Sequence, residues 1–386
     1  MNKVKAWVDD NLKGDPVIWV VVFALSLISI LVVYSATGTL AFKRMVNPES
    51  YLIKHTLLVG VGLGAMWFAH KIDYRYYSKL SRFALWISVP LLIYTFTNGV
   101  SLNDASRWIQ LPIINASFQP SDLASLALIT SLASMLSKRQ QNIEDFKESF
   151  IPILIWCGVI CGLIALTNLS SAVLLFATCM LIMFIGRVPL KYLAMLVFVG
   201  VMAGSVALTF GVRGETAKNR IESFINGDEL PFQAKHARIA VATGGIFGKG
   251  PGNSQQRNIL PHPYSDFVYA IIVEEYGIVG GVVVLILYLI LLARGMKAVT
   301  NSERAFGGLL SAGLSFALVL QAMVNMGVVV GLGPITGLPL PLISMGGTSL
   351  LFTGLSIGII LSVSRGETDS SWESAGGEIK NIARAA

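Results

Sequence analysis

Ten long apolar runs, separated by polar segments, cover most of this 386-residue chain. A helix that crosses a bilayer needs about 20 mainly apolar residues, and each run comes close to that length. The runs cover approximately residues 17–37, 52–70, 82–99, 118–137, 150–166, 169–186, 190–211, 267–293, 305–330 and 348–364. Charged residues make up 13% of the sequence, about half of their share in soluble domains. The pattern predicts an all-α polytopic membrane protein with about ten transmembrane helices.

The positions of Lys and Arg predict the orientation of these helices. Segments on the side of the N-terminus collect most of the 29 basic residues, which indicates that this side is cytoplasmic. Both termini are then cytoplasmic, and the polar segment 212–266 is a large extracytoplasmic loop between helices 7 and 8. We divide the chain into a cytoplasmic interfacial segment (1–16), a membrane domain (17–364) and a cytoplasmic tail (365–386). The predicted location is the cytoplasmic membrane, and nothing in the pattern indicates binding to nucleic acid.

Three segments rich in Gly, Pro and polar residues fall on the predicted outer side: 100–121, 243–266 and 331–347. Irregular backbone near a membrane is tolerated when it is buried in protein or lines a cavity. We therefore expect the three segments to roof a cavity that opens to the outer leaflet. In the third segment, Pro339, Gly346 and Gly347 force irregular backbone and are predicted to shape the cavity mouth.

A lone carboxylate, Asp266, stands where the 212–266 segment ends and the apolar run from Phe267 begins. One interpretation is that Asp266 caps the following helix, because Asp is favoured at that position. The other is a catalytic role at the membrane surface, beside a loop rich in Lys and Arg. The two roles are compatible.

Three further acidic residues lie inside predicted spans: Asp122, Glu274 and Glu275. Carboxylates within a membrane are costly and are usually paired or functional. We interpret these three as structural groups that hold the cavity wall, with partners that the sequence does not identify.

Several basic residues are candidates for contacts with an anionic substrate. Arg107 and Trp108 form either an interfacial anchor pair or a phosphate contact. Lys249 lies between glycines that would let backbone N–H groups approach an anion, although a solvated turn explains it equally well. Arg213 and Arg220 are either solvated loop charges or pyrophosphate ligands.

Five motifs carry a family resemblance. The segment from Met323 to Leu351 closely resembles the signature of the SEDS proteins, the FtsW/RodA family of bacterial cell-wall polymerases. Four more motifs match in the family's order: SRWIQL at 106–111, FQPSDLA at 118–124, GGIFGKGPGNS at 244–254 and SDFVYAIIVEEYG at 265–277. The loop before Asp266 is closer to the division members of the family than to the elongation members.

The resemblance implies an activity and its partners. Members of this family polymerise lipid II into glycan strands at the outer face of the cytoplasmic membrane, with a class B penicillin-binding protein as transpeptidase and with other division proteins. Asp266 aligns with the carboxylate that the family needs. Gln119 and Ser344, which lie in the matching motifs, are added to the predicted substrate contacts.

The chain departs from the family pattern at several positions. Asp122 and Ser125 stand where the family has Glu and Lys, so an ion pair between those positions is absent. Asn168 and Ser170 replace an Asp and a Gly, and Met345 replaces a Tyr. These changes put supporting roles in doubt without affecting Asp266.

The implied chemistry joins a sugar hydroxyl to an anomeric carbon that carries a lipid pyrophosphate. The leaving group needs its charge compensated by Arg or Lys, or by a divalent cation such as Mg²⁺ or Mn²⁺, and the hydroxyl needs a base. Asp266 is the predicted base. Lipid II is α-linked and the polymer is β-linked, so the reaction inverts. Two other functions fit ten spans: a lipid II flippase and a non-catalytic scaffold for the transpeptidase.

Overall fold

The computed structural model describes residues 11–43, 48–102, 105–111, 116–210, 214–226, 230–302 and 304–365. In chain order the elements are α1 (Pro16–Lys43), α2 (Pro48–Lys71), α3 (Tyr74–Asn98), β1 (Val100–Leu102), β2 (Ala105–Leu111), β3 (Ala116–Phe118), α4 (Pro120–Lys138), α5 (Ile151–Thr167), α6 (Leu169–Ile185), α7 (Leu190–Phe210), α8 (Gly214–Asn226), α9 (Phe232–Gly244), α10 (Val268–Asn301), α11 (Ala305–Val329) and α12 (Gly347–Arg365). Short helical turns at Gln140–Asn142, Phe146–Phe150 and Gln256–Asn258 complete the described elements.

Each predicted span overlaps one of the helices α1–α7 and α10–α12. Among the described residues, seven helices are long and apolar enough to cross a membrane, and α6 and α7 are apolar but shorter. The remaining helix, α4, has most of its side chains buried. In the most apolar 18-residue stretch of each helix, 56% of the residues of α11 and 67% of those of α12 are buried. The share is 28% in α2, α3, α5 and α10. The chain is therefore a helical polytopic membrane protein in which α4, α11 and α12 lie at the centre of the bundle.

The exposed face of helix α1 shows why the bundle must be surrounded by lipid. Its exposed side chains include Val20, Phe23, Leu27 and Leu31, whereas Ser29 is fully buried. Exposed and apolar residues recur at helical spacing, so one whole face of α1 is hydrophobic. A soluble protein buries such a face, and lipid tails solvate it at no cost.

The structure corrects three sequence expectations about the elements. The segment 100–121 was predicted to be irregular, but it forms a three-stranded antiparallel sheet in the order β1-β2-β3, with Val100 opposite Trp108 and Ile109 opposite Phe118. The segment 212–266, predicted as a polar loop between membrane helices 7 and 8, contains the helices α8 and α9, which the sequence analysis did not predict. The third span begins at Tyr74 and not at residue 82, because its first turn carries buried Tyr side chains that hydropathy scores poorly.

Helix α10 was predicted as one continuous span, and the structure interrupts it at Gly277, which has φ +70°. Residues 245–250 fold against the interruption: the Ile278 N–H donates to the Gly245 carbonyl at 2.9 Å, and the Val279 N–H to Ile246 at 3.2 Å. A Cβ at Gly277 would stand 2.1 Å from the Ile246 carbonyl oxygen. Only glycine allows this approach, which gives hydrogen-bond partners to the backbone at the break.

Candidate active site

The three polar segments meet at one end of the bundle, as the sequence predicted. The Met345 N–H donates to the Tyr264 carbonyl at 2.9 Å, which joins the third segment to the second. The Gln119 N–H donates to Thr348 Oγ1 at 3.2 Å, which joins the first segment to the start of α12. Asp266 lies within this assembly.

The backbone of Asp266 is held from two sides. Asn325 Nδ2, on α11, donates to the Asp266 carbonyl at 2.7 Å and to the Leu338 carbonyl at the same distance. Ser344 Oγ donates to the carbonyl of Ser265 at 2.7 Å. These bonds tie the chain at Asp266 to the irregular segment 331–347, so the position of the carboxylate depends on both.

The Asp266 carboxylate itself has few contacts. Its Oδ1 accepts a hydrogen bond from Ser265 Oγ at 2.9 Å, and its Oδ2 lies 3.5 Å from the place that a Cβ at Gly337 would occupy. Among the described side chains, none that is basic lies within 4.0 Å of it. The carboxylate is half-buried and retains acceptor capacity for a hydroxyl group.

Asp266 does not cap α10. The helix starts at Val268, its N-cap residue is Phe267, and no side chain donates or accepts at that cap. The capping interpretation is therefore wrong.

Irregular backbone in the third segment is stabilised by side chains from several helices. Gln321 Nε2 donates to the Pro339 carbonyl at 2.8 Å, and Ser29 Oγ to the Ile343 carbonyl at 2.8 Å. Tyr288 donates to the carbonyl of Pro341. These donors satisfy carbonyl groups that a helix would otherwise bond internally. The segment therefore keeps its shape at the bundle end.

Ser344 was predicted to contact substrate, and the structure gives it a different role. Its side chain is 2% exposed. Its oxygen accepts from the Leu340 N–H at 2.8 Å and donates to Ser265. Ser344 positions the loop that carries Asp266 because both of its hydrogen bonds go to backbone. Gly346 and Gly347 lead into α12, and a Cβ at Gly347 would be 3.5 Å from the carbonyl oxygen of Ser117.

For Lys249 the sequence left two interpretations open, an anion-binding loop and a solvated turn, and the structure instead pairs it with Glu274. Its ammonium group donates to Glu274 Oε1 at 2.7 Å and to Thr243 Oγ1 at 3.0 Å. The N–H groups of Lys249 and Gly250 donate to the carbonyls of Glu274 and Glu275, both at 2.9 Å. These two N–H groups, which would otherwise face an anion, already donate to carbonyl groups of α10 just before its interruption at Gly277.

Glu274 and Glu275 have the structural role that the sequence indicated, and the structure names their partners. Besides Lys249, Glu274 accepts from Ser254 Oγ at 2.5 Å and from the N–H groups of Gln255 and Gln256 at 3.1 and 3.2 Å. Glu275 accepts from Ser35 Oγ, and Arg257 lies 4.0 Å away. Both carboxylates hold the 245–258 loop against the bundle.

Asp122 lies in the first turn of α4 and lines a cavity of about 100 Å³ between α4, α6, α11 and α12. The cavity wall carries hydroxyl groups, among them Ser125, Thr178 and Thr353. Asp122 Oδ2 is buried with no hydrogen-bond partner among the described residues. Asp266 is not among the residues that line this cavity, although Leu338 of the neighbouring irregular segment is.

Arg220 is the predicted basic residue that the structure brings to the site. Its Nη1 donates to the Ile335 carbonyl at 3.2 Å. Ile335 lies two positions before Gly337, the residue that lies beside the Asp266 carboxylate. Arg220 also lines an apolar groove of about 390 Å³ formed by α6, α8, α11 and residues 334–338. One cation thus stands at the polar end of a hydrophobic groove.

The other predicted contacts are described only in part. Trp108 is half-buried in β2 beside the bundle, and Gln119 uses its side-chain nitrogen to donate to Ser121 Oγ at 2.9 Å. Arg213 and the side chain of Arg107 lie outside the described residues.

Sequence reasoning missed Asn325, which touches both parts of the backbone around Asp266. An Asn in the middle of the 305–330 apolar run was the available signal, because a polar side chain there needs partners. No group of three or more His, Cys, Asp or Glu side chains suited to a metal ion occurs among the described residues. Mg²⁺ is commonly bound by one or two carboxylates with substrate phosphates, so assistance by a divalent cation stays a prediction.

Comparisons with known proteins agree with this architecture. The family model for cell cycle proteins of the FtsW, RodA and SpoVE type matches residues 15–369. The chain is 32% identical over 366 residues to stage V sporulation protein E of Bacillus subtilis, covering 92% of this chain and 98% of that protein. It is 33% identical over 359 residues to the probable peptidoglycan glycosyltransferase FtsW of Geobacter metallireducens, covering 91% and 94%.

Two solved structures share the fold. One is a chain of a peptidoglycan synthase complex that coordinates polymerization and crosslinking, with a TM-score of 0.75, 25% identity, and coverage of 91% of this chain and 98% of that one. The other is the rod shape determining protein RodA of Thermus thermophilus, with a TM-score of 0.65, 26% identity, and coverage of 91% and 97%. The match along nearly the whole length, in both sequence and fold, shows that the chain belongs to the FtsW/RodA/SpoVE family.

Proposed function

We propose that this chain is a peptidoglycan glycosyltransferase that polymerises lipid II into β-1,4-linked glycan strands, with Asp266 as the general base. The observation that carries the proposal is the Asp266 carboxylate, which has one hydrogen bond and no basic neighbour among the described side chains. It lies where three polar segments meet, beside an apolar groove with Arg220 at its polar end. The relatives named as peptidoglycan glycosyltransferases support the same reaction class.

The proposed reaction requires one proton transfer. The hydroxyl oxygen of the acceptor sugar forms a bond to the anomeric carbon of the donor, and the bond from that carbon to the pyrophosphate oxygen breaks. The hydroxyl proton passes to Asp266, and the pyrophosphate leaves with the electron pair. Attack from the face opposite the leaving group converts the α-linked donor into a β-linked product. A positioned base contributes about 10²–10⁴-fold to such a step.

The groove and Arg220 suit a substrate that is apolar at one end and anionic at the other. Residues such as Val173, Leu320 and Val324 line the groove, and a polyprenyl tail could bury apolar surface there. A pyrophosphate attached to that tail would lie near Arg220, whose guanidinium matches phosphate geometry.

We further propose that the reaction takes place at the outer face of the cytoplasmic membrane during septal wall synthesis. A class B penicillin-binding protein and other division proteins would be its partners. The similarity to a chain of a peptidoglycan synthase complex and the FtsW relatives support this assignment.

The proposal is tested by polymerisation of lipid II with purified protein and its transpeptidase, with transpeptidation blocked. We expect long glycan from the wild type and none from Asp266→Asn. The matched control is Glu222→Gln, which neutralises an exposed carboxylate on α8 and should leave polymerisation unchanged. Equal product from wild type and Asp266→Asn would remove Asp266 from the reaction. A flippase would instead move lipid II between leaflets and tolerate Asp266→Asn, and a scaffold would tolerate it while keeping the transpeptidase bound.

A further inference from the structure

A second arginine, Arg238 on α9, lies against the same irregular segment as Arg220. A Cβ at Gly331 would be 2.9 Å from Arg238 Nε and 3.0 Å from Cζ, and Gly331 has φ +90°. A side chain at position 331 would therefore displace the guanidinium and would strain the backbone. The glycine allows the guanidinium to lie directly against the chain.

The charge of Arg238 has no partner among the described residues. Its Nε is buried without a hydrogen bond, and none of the described ion pairs includes it. Of the five N–H donors of this guanidinium, Nε is the one that is buried and unbonded, although buried donors in proteins are almost always satisfied. The residue is only partly buried, so an anionic ligand can reach the other donors.

Arg220 and Arg238 line one narrow cleft, of about 10 Å³, together with Phe224, Pro231, Pro334 and Ile335. Arg220, Pro334 and Ile335 also line the apolar groove, so the cleft and the groove share one wall. Gly337, at which a Cβ would lie 3.5 Å from Asp266 Oδ2, follows Ile335 by two residues, at most about 7 Å of extended chain. The groove, the two guanidinium groups and the Asp266 carboxylate are thus all neighbours of one segment, residues 331–337.

The geometry points to Arg238 as a pyrophosphate-binding residue that acts with Arg220 on the lipid-linked donor; this inference rests on the proposed function. Two guanidinium groups can each bind phosphate oxygens through parallel N–H bonds. They compensate the charge that develops on the leaving pyrophosphate. With the tail in the groove and the pyrophosphate between the arginines, the anomeric carbon is directed towards Asp266.

Binding is tested in an Asp266→Asn background, so that the affinities of all variants are compared in the same protein and independently of catalysis. The probe is undecaprenyl pyrophosphate, and affinity is measured from the ligand-dependent shift of the unfolding temperature in detergent. We expect Arg238→Gln to weaken binding by about tenfold or more, because a charge-assisted hydrogen bond is lost. Arg238→Lys keeps the charge but lacks the planar guanidinium. Its affinity should therefore lie between those of the background and of Arg238→Gln. Lys235→Gln, at an exposed position on the same helix, is the matched control and should bind as tightly as the background.

Three outcomes of the binding experiment overturn the inference. Unchanged affinity in both Arg238 variants would show that the guanidinium does not touch the ligand. Binding of phosphatidylglycerol with the same dependence on Arg238 would make the cleft a general lipid-headgroup site. Asp228 and Glu229 lie outside the described residues just before α9, so Asp228→Asn with Glu229→Gln is tested as well. A loss equal to that of Arg238→Gln would assign Arg238 to an internal ion pair.

Polymerisation by the wild-type background separates this inference from the proposed function. With Asp266 restored, Arg238→Gln should raise KM for lipid II more than it lowers kcat. Normal polymerisation with an unchanged KM would reject the role of Arg238 and leave the glycosyltransferase intact. If the wild type does not polymerise lipid II but pyrophosphate binding still depends on Arg238, the proposed function is rejected and the pyrophosphate site is retained.

Discussion

Glu274 and Asp266 lie eight positions apart in the sequence, and their surroundings differ. Glu274 is fully buried and accepts from Lys249, Ser254 and two backbone N–H groups. Asp266 is half-buried and its carboxylate accepts one hydrogen bond, from Ser265. A carboxylate with all its acceptor sites occupied holds structure, whereas one with free acceptor capacity can take a proton from a ligand. The comparison predicts that the two residues separate activity from stability.

The largest expected effect is on turnover at Asp266. Asp266→Asn removes the proposed base and should lower kcat for polymerisation by about 10²–10⁴-fold, while the unfolding temperature in detergent stays within a few degrees of wild type. The amide is isosteric and no described ion pair is broken, which is why folding is retained. A variant that unfolds early would indicate a structural carboxylate and would undo the contrast with Glu274.

Glu274→Gln should show the opposite behaviour. It leaves Lys249, which is 25% exposed, without its counter-charge, and breaking a buried pair in this way costs about 3 kcal/mol. The prediction is a lower midpoint of thermal unfolding, measured by circular dichroism in detergent. Polymerisation per folded molecule should remain close to wild type, and a selective loss of kcat without loss of stability would contradict a structural role.

Asn325→Leu tests whether the position of Asp266 depends on α11. The substitution leaves the carbonyls of Asp266 and Leu338 without their donor, at a cost of about 1–3 kcal/mol. Because the loop can then shift, we expect kcat to fall about tenfold with little change in KM. Asn325→Asp keeps an acceptor but not the donor, so it should resemble Leu; normal kcat in both variants would separate Asn325 from the reaction.

The smallest effect is expected at Asp122, the third type of carboxylate in this molecule. Its Oδ2 is buried without a partner among the described residues, and an amide of the same shape, which cannot ionise, avoids the cost of burying a carboxylate. Asp122→Asn should leave polymerisation within about twofold of wild type and raise stability by about 1 kcal/mol. A large loss of polymerisation would assign the cavity between α4, α6, α11 and α12 to the reaction.

Much of the fold could be predicted because membrane spans are a local property. Every predicted span overlaps a helix of the structure, since apolarity over about 20 residues is sufficient to indicate a span. The exceptions arise where apolarity is uninformative: the buried Tyr residues at the start of α3 and the strands of the 100–121 segment. The interruption at Gly277 was missed because its backbone is satisfied by residues 245–250, which pattern analysis treats separately.

The sequence by itself determined that this chain spans a membrane, that its polar segments gather at one end, and that Asp266 stands at a polar–apolar junction. It also identified acidic residues inside spans as groups that need partners. Only the tertiary structure decided which partners they have. Lys249 meets Glu274 across 25 positions, Asn325 meets Asp266 across 59, and Arg257 meets Ser35 across 222. Hydrogen bonds and charges act over a few ångströms in space, so a side chain's role is set by neighbours that are distant in the sequence.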